Sequence, residues 1–218
     1  MTQPVDQPVD GREGPAWPSA GLLLLRGQLS EVVSWARRGI VPVAVAPLEG
    51  WTAVLPNGDS HAAAPYDDAL TVLAARRVPP RLGPALGFFV IDGRAVITVQ
   101  ERPRRRRARW VVWEPERGVV HPPGLDIAPP SSLVRIAGAG SRSELVEIML
   151  ERHIAPARML AAVVAVLGLP GPRLLVDPAG GADLPGRVER EPGDRQVAWF
   201  EDAVRDSVLL RRELGHGR

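Results

Sequence analysis

The sequence predicts an α+β fold: an antiparallel sheet with two helices, followed by a helical C-terminal region. Between residues 20 and 121, β-rich runs and segments of helical period alternate in the order β-α-β-β-α-β, with extra hairpin strands after them. This is the split βαβ order of ferredoxin-like folds. Two of the runs meet at Asp92-Gly93, a dipeptide typical of type I′ hairpin turns, which indicates antiparallel pairing. Beyond a Pro-rich break near residues 121–132, helical spacing dominates.

Each element of the first half has a local reason. LLLLRG, which begins at Leu22, is an apolar run of strand length. QLSEVVSWARRG has apolar residues at helical spacing, and Gly39 is its expected C-terminal cap. Two short strands follow, Val43–Ala46 and Trp51–Leu55, with a Leu-Glu-Gly turn between them. YDDALTVLAARR predicts a second helix, and the residues expected to face the core are Ala69, Leu70, Leu73 and Ala74.

The middle of the chain predicts three more strands. ALGFFVIDGRAVITVQ forms the hairpin around Asp92-Gly93, and RWVVWEPERGVV extends the sheet. Successive residues of a strand point to opposite faces. Trp110 and Trp113 are therefore expected on opposite sides of the sheet.

The second half predicts helices joined by short connections. LVRIAGAG is a possible strand, and SRSELVEIMLERH is a helix that starts with the capping box Ser141-x-x-Glu144. APARMLAAVVAVLG is a helix with Pro156 in its first turn and Gly168 at its end. RLLVD is a candidate short strand. The predicted organisation is a disordered tail (1–19), a sheet domain (20–121), a mixed helical segment packed on it (122–178), a linker (179–195) and a C-terminal helix (196–218).

The composition excludes several classes of chemistry. The 218 residues contain no cysteine, so thiolate catalysis and Cys-bound zinc or iron–sulfur clusters are ruled out. All 27 basic residues are arginine, which removes Schiff-base lysines and the lysine of P-loop proteins and kinases. The four histidines form no metal-binding pair such as HExxH, so no metal and no cofactor is expected. No apolar run reaches the roughly 18–20 residues of a membrane span, which predicts a cytoplasmic protein without membrane insertion.

An arginine-rich loop is the first candidate site. The segment from Glu101 to Ala108 connects the predicted strands Val96–Gln100 and Arg109–Trp113. The arginines of this loop and of the residue after it are Arg102, Arg104, Arg105, Arg106, Arg107 and Arg109. Arginines on a hairpin tip can contact the phosphates of nucleic acid, while a neighbouring tryptophan stacks on a base. The alternative is a solvated loop beside core tryptophans, and the nearby Glu101, Glu114 and Glu116 favour it.

A glycine-containing turn is the second candidate. In IAGAGSRSE, Gly138 and Gly140 precede a predicted helix and Arg142 stands beside them. Free backbone N–H groups at such a helix start bind phosphate or carboxylate groups. A dinucleotide fingerprint needs a third glycine where Ser143 stands, so the motif is incomplete.

The last helix carries the third candidate, the adjacent aromatics Trp199 and Phe200. Neighbouring helical residues cannot both face one seam, so one of the two is expected to be exposed, as in partner surfaces. No catalytic arrangement of residues emerges from the sequence. We therefore expect a non-catalytic adaptor or regulatory protein that acts through a protein partner or self-association. A nucleic-acid-binding protein that uses Arg102–Arg109 and a sensor of small anions at Gly138–Arg142 are the alternatives.

Overall fold

One antiparallel sheet organises the chain. The structure is a computed structural model that describes residues 20–101 and 108–215. Within these residues the sheet has eight strands in the order β7-β6-β5-β4-β1-β3-β2-β8, and every neighbouring pair is antiparallel. The strands are β1 (Gly21–Leu25), β2 (Val43–Leu48), β3 (Trp51–Pro56), β4 (Ala85–Ile91), β5 (Arg94–Gln100), β6 (Arg109–Glu114), β7 (Gly118–Val120) and β8 (Val188–Arg190). The predicted α+β class is confirmed, and the sheet is larger than predicted.

The helices are α1 (Leu29–Ala36), α2 (Ala69–Ala75), α3 (Pro130–Ala137), α4 (Arg142–Leu150), α5 (Pro156–Val166), α6 (Arg173–Val176) and α7 (Asp194–Gly215), with a 3₁₀ helix at Pro178–Asp183. Four of these helices, α2 to α5, begin at a side-chain cap or at a proline. The Asp68 carboxylate accepts hydrogen bonds from the first free N–H groups of α2, and the Ser141 hydroxyl accepts one from α4. Both α3 and α5 start with proline, which lacks the N–H that would be unsatisfied there.

The sheet separates two hydrophobic cores. Leu22 and Leu24 of β1 face a core shared with residues of α3 to α6. Leu23 and Leu25 face a second core shared with residues of α1 and α2. This alternation follows from the period of two in a strand. It makes the long apolar run of β1 buried on both faces, and the fold is a sheet covered by helices on each side.

The central hairpin has the predicted turn. Ile91 pairs with Arg94 across β4 and β5. Asp92 and Gly93 between them have φ angles of 48° and 71°, and positive values at both positions are what a type I′ turn requires. The antiparallel register of the hairpin is thus set by local turn chemistry.

Three local predictions are wrong. LVRIAGAG forms most of α3 instead of a strand, since Leu133, Ile136 and Ala137 are buried at the spacing of one helix face. RLLVD forms α6 instead of a strand. Gly39 does not have the left-handed conformation of a C-cap glycine, because α1 ends in a right-handed turn at Arg37.

The segment predicted as a linker, 179–195, contributes to the sheet. It contains most of the 3₁₀ helix and all of β8, which pairs with β2 from Val43↔Arg190 to Val45↔Val188. This pairing supplies backbone hydrogen bonds for residues that carry no strong strand signal of their own. The remaining predicted boundaries stay predictions.

Among the described residues, no helix combines the length and the apolarity that crossing a lipid bilayer demands.

Candidate functional site

The base of the arginine-rich loop is an ion-pair cluster. The side chain of Glu101, which is only 7% exposed, pairs with Arg109 and with Arg135, the latter at 2.8 Å. Arg109 Nη2 also donates a hydrogen bond to Ser132 Oγ at 2.9 Å. Arg109 is therefore engaged within the protein. The other predicted contact residues, Arg102, Arg104, Arg105, Arg106 and Arg107, lie outside the described residues, and their role stays a prediction.

The two tryptophans beside this loop lie on opposite faces of the sheet, as predicted. Trp113 is fully buried in the core that contains α3 to α6, and its Nε1–H donates to the Met149 carbonyl at 3.1 Å. Trp110 is half-buried and packs against the other core. A buried indole with a satisfied N–H stabilises the fold, so the Trp113 ring is not a stacking surface for a base.

The glycine-containing turn connects two helices. Gly138 ends α3 with φ 78°, and its N–H donates to the Val134 carbonyl at 3.0 Å. Gly140, with φ 99°, lies against the backbone at the end of α5. Arg142 is exposed at the start of α4. The predicted strand before the glycines is absent here, so the strand-loop-helix geometry is wrong, and the phosphate site stays a prediction.

The two aromatics of α7 have different environments. Trp199 is 66% exposed. Phe200 packs against the core formed with α1 and α2, and its ring meets that of Tyr66 edge to face with centroids 5.1 Å apart. Glu201 adds a second anchor, since its carboxylate accepts from the Ala63 N–H at 3.0 Å. Phe200 therefore holds the helix against the protein, and Trp199 is the exposed member of the pair, of which the sequence predicted only that one would be exposed.

A cavity that the sequence did not reveal lies between α1, α2 and α7. Its volume is about 300 Å³. We call it the Arg76 cavity, and its lining residues are Arg38, Gly39, Ile40, Val41, Tyr66, Val72, Ala75, Arg76 and Phe200. These residues come from three separate segments of the chain. Its walls are mainly apolar, with two arginines among them.

Arg76 is held by α1. Its guanidinium lies 3.8 Å from the centroid of the Trp35 ring, and its Nη2 donates to the Trp35 carbonyl at 2.6 Å. Gly39 permits this approach, because a Cβ atom there would lie 2.9 Å from the guanidinium carbon. A side chain at position 39 would displace the guanidinium or shift the loop.

The charge of Arg76 is uncompensated within the described part of the chain. Burial, together with repulsion from Arg38, lowers the pKa of Arg76 well below its usual range, to about 10. The group thus remains a cation at neutral pH. Its Nη1 is buried and has no hydrogen-bond partner among the described residues. An unsatisfied buried donor costs about 1–3 kcal/mol, and more when the group is charged.

A second, smaller cavity lies at the β7 edge of the sheet. Its volume is about 240 Å³, and its lining residues are Arg117, Gly118, Val119, Pro130, Val146, Met149, Leu150 and Arg152.

Within residues 20–101 and 108–215, no group of three or more His, Asp or Glu side chains is placed to hold a metal ion. No protein-family model, curated protein or solved structure matches this chain.

Proposed function

We propose that this chain is a non-catalytic protein-binding module, an adaptor or regulatory protein that presents α7 to a protein partner. The observation that supports the proposal is the exposure of Trp199, a large aromatic with two thirds of its surface accessible to solvent. Tryptophan is enriched among the few residues that supply most of the binding energy in protein interfaces. Its position on a regular helix gives the ring a defined direction.

The mounting of α7 supports the same proposal. In the first two turns of α7, Val197 and Phe200 pack against the core that contains residues of α1 and α2. Further along the helix, Val208 and Leu209 are 40% and 49% exposed. Val208 lies on the opposite side of α7 from Trp199, because the nine-residue separation between them makes about two and a half turns. We therefore expect the partner to provide an apolar pocket for the Trp199 ring, since such aromatic anchors fill pockets at interfaces. A second copy of the chain that buries Trp199 against its own α7 would also be such a partner.

For the fold, we infer that β1 to β4 with α1 and α2 correspond to a split βαβ arrangement of the ferredoxin-like kind. The strand order β4-β1-β3-β2 and the packing of α1 and α2 in one core support this interpretation. The strands β5 to β7 and β8 extend the sheet on its two sides. Such folds carry many functions, so the fold by itself assigns none.

The test is recovery of a complex from native lysate, with and without nuclease, followed by washing at high salt. We expect a co-purifying protein, or a dimer of the chain, that resists nuclease and is lost in Trp199→Ala. Leu150→Ala is the matched control, because Leu150 is equally exposed, at 64%, but belongs to α4. Retention of the complex in Trp199→Ala would refute the proposal. Nucleic acid that disappears with nuclease would instead favour the loop 102–109.

A further inference from the structure

We propose that the Arg76 cavity binds a small organic anion, whose carboxylate or phosphate group pairs with Arg76 and Arg38 and whose apolar portion fills the rest of the cavity. This site is separate from the Gly138–Arg142 turn and does not depend on a protein partner for α7.

The charged side chains that line the cavity are all positive. Arg38 and Arg76 both line it, and neither forms an ion pair with a carboxylate among the described residues. Buried charges are normally paired, because removing them from water is costly. Here burial and a neighbouring like charge act together on Arg76. An anion would offset both penalties, which no group described in the chain does.

The hydrogen bonds of Arg76 are only partly used. Nη2 bonds to Trp35, which fixes the plane of the guanidinium over the indole ring. Nη1 is left without an acceptor. A guanidinium whose orientation is fixed loses little entropy when an oxyanion binds, and its fork of donors matches carboxylate and phosphate oxygens. Gly39, without a side chain, is the cavity wall next to Nη1.

The remaining walls select an organic body over a bare ion. Ile40, Val41 and Val72 are aliphatic, and Tyr66 and Phe200 add two aromatic rings. A volume of about 300 Å³ falls at the lower end of the range for small-molecule sites. Such sites combine mostly apolar walls with a few polar groups that fix orientation. A compact carboxylate or phosphate with an aromatic or aliphatic body fits this description.

The experiment uses the full chain and three anions as probes: acetate, benzoate and inorganic phosphate, at constant ionic strength against chloride. Thermal unfolding is followed over a concentration series. We expect saturable stabilisation by benzoate that exceeds that of acetate, because only benzoate offers both charge and an apolar body. Phosphate carries negative charge without an apolar body, so its effect shows whether the cavity recognises charge alone. Saturable stabilisation by phosphate without any by benzoate would overturn the proposal, as would no saturable effect of any probe.

Three variants locate the effect. Arg76→Met removes the buried cation, and Arg38→Gln removes the exposed one. Ala75→Leu narrows the cavity without touching either charge. We expect Arg76→Met to weaken benzoate binding at least tenfold. Arg38→Gln and Ala75→Leu should each weaken it at least threefold. Arg173→Gln, at an exposed position on α6, is the control and should bind as the parent does.

The outcome is decided even if Arg76→Met fails to fold, because Arg38→Gln and Ala75→Leu alter exposed positions of the cavity. Equal benzoate binding by the parent, Arg38→Gln and Ala75→Leu would overturn the assignment. So would an equal loss in Arg173→Gln, which would indicate a nonspecific effect of positive charge.

Discussion

Replacing Glu101 by glutamine tests the ion-pair cluster at the base of the arginine-rich loop. The substitution keeps the size of the side chain and removes its charge, leaving Arg109 and Arg135 without their anion. Removal of one partner of a buried pair costs about 3–5 kcal/mol, while an exposed pair contributes about 0–1 kcal/mol. Glu101 and Arg109 are 7% and 20% exposed, whereas Arg135 is 60% exposed. The Glu101–Arg109 pair should therefore dominate, and Arg109 keeps its bond to Ser132.

We expect Glu101→Gln to lower the free energy of unfolding by about 3 kcal/mol, near the lower end of the range for buried pairs. For a chain of this length that corresponds to a fall in Tm of about 6–12 °C. Urea unfolding followed by tryptophan fluorescence measures the change. Asp202→Asn is the control, since it breaks a pair in which both partners are exposed, and it should cost less than about 1 kcal/mol. A loss below about 0.5 kcal/mol for Glu101→Gln would show that solvent screens the cluster, against the burial described here.

Two further predictions concern packing, and both are measured by thermal unfolding. Gly140→Ala should destabilise by about 2–4 kcal/mol, because its Cβ would lie 2.6 Å from the Val166 carbonyl oxygen in a left-handed backbone. Gly138→Ala is its matched control: the backbone is also left-handed but the space is open, so the cost should be about 1 kcal/mol, and equal losses would contradict the packing argument. Trp113→Phe should cost about 1–3 kcal/mol through the lost bond to the Met149 carbonyl and the lost volume; an unchanged Tm would mean that the indole N–H contributes nothing there.

Much of the sheet could be predicted from the sequence because its signals are local. The type I′ turn at Asp92-Gly93 determines the β4–β5 register by itself. The apolar run at β1 has strand length. In α2, the spacing of Ala69, Leu70, Leu73 and Ala74 identified the buried face, and these four residues are buried. Such patterns need no knowledge of the rest of the molecule.

Other elements depend on distant partners and could not be predicted. β8 has three residues without an alternating apolar pattern, and its pairing is created by the free edge of β2. The α3 segment ends in small residues that resemble a loop after a strand, although Leu133 and Ile136 have helical spacing. Local pattern alone does not separate a short buried helix from a strand.

The candidate sites show the same limit. That one of the two adjacent aromatics of α7 is exposed follows from the geometry of one helix, and it was predicted. That Trp199 is the exposed one depends on the packing of Phe200 against a distant core. The Arg76 cavity requires α2, α7 and the segment after α1 to meet, and each contributes a residue that looks ordinary alone: Arg76 after α2, Phe200 in α7 and Gly39 after α1. The nearest local signal is the arginine that follows each of α1 and α2, a placement that the helix dipole favours on many surfaces.

The pairing of β2 with β8 has a consequence for synthesis of the chain. β2 leaves the ribosome well before the strand that covers its outer edge, because β2 and β8 lie far apart in the sequence. Until then, the nascent chain presents an open row of backbone donors and acceptors, which is a template for pairing with other chains. Loss of the β2–β8 pairing should therefore increase aggregation during expression more than the size of a three-residue strand would suggest.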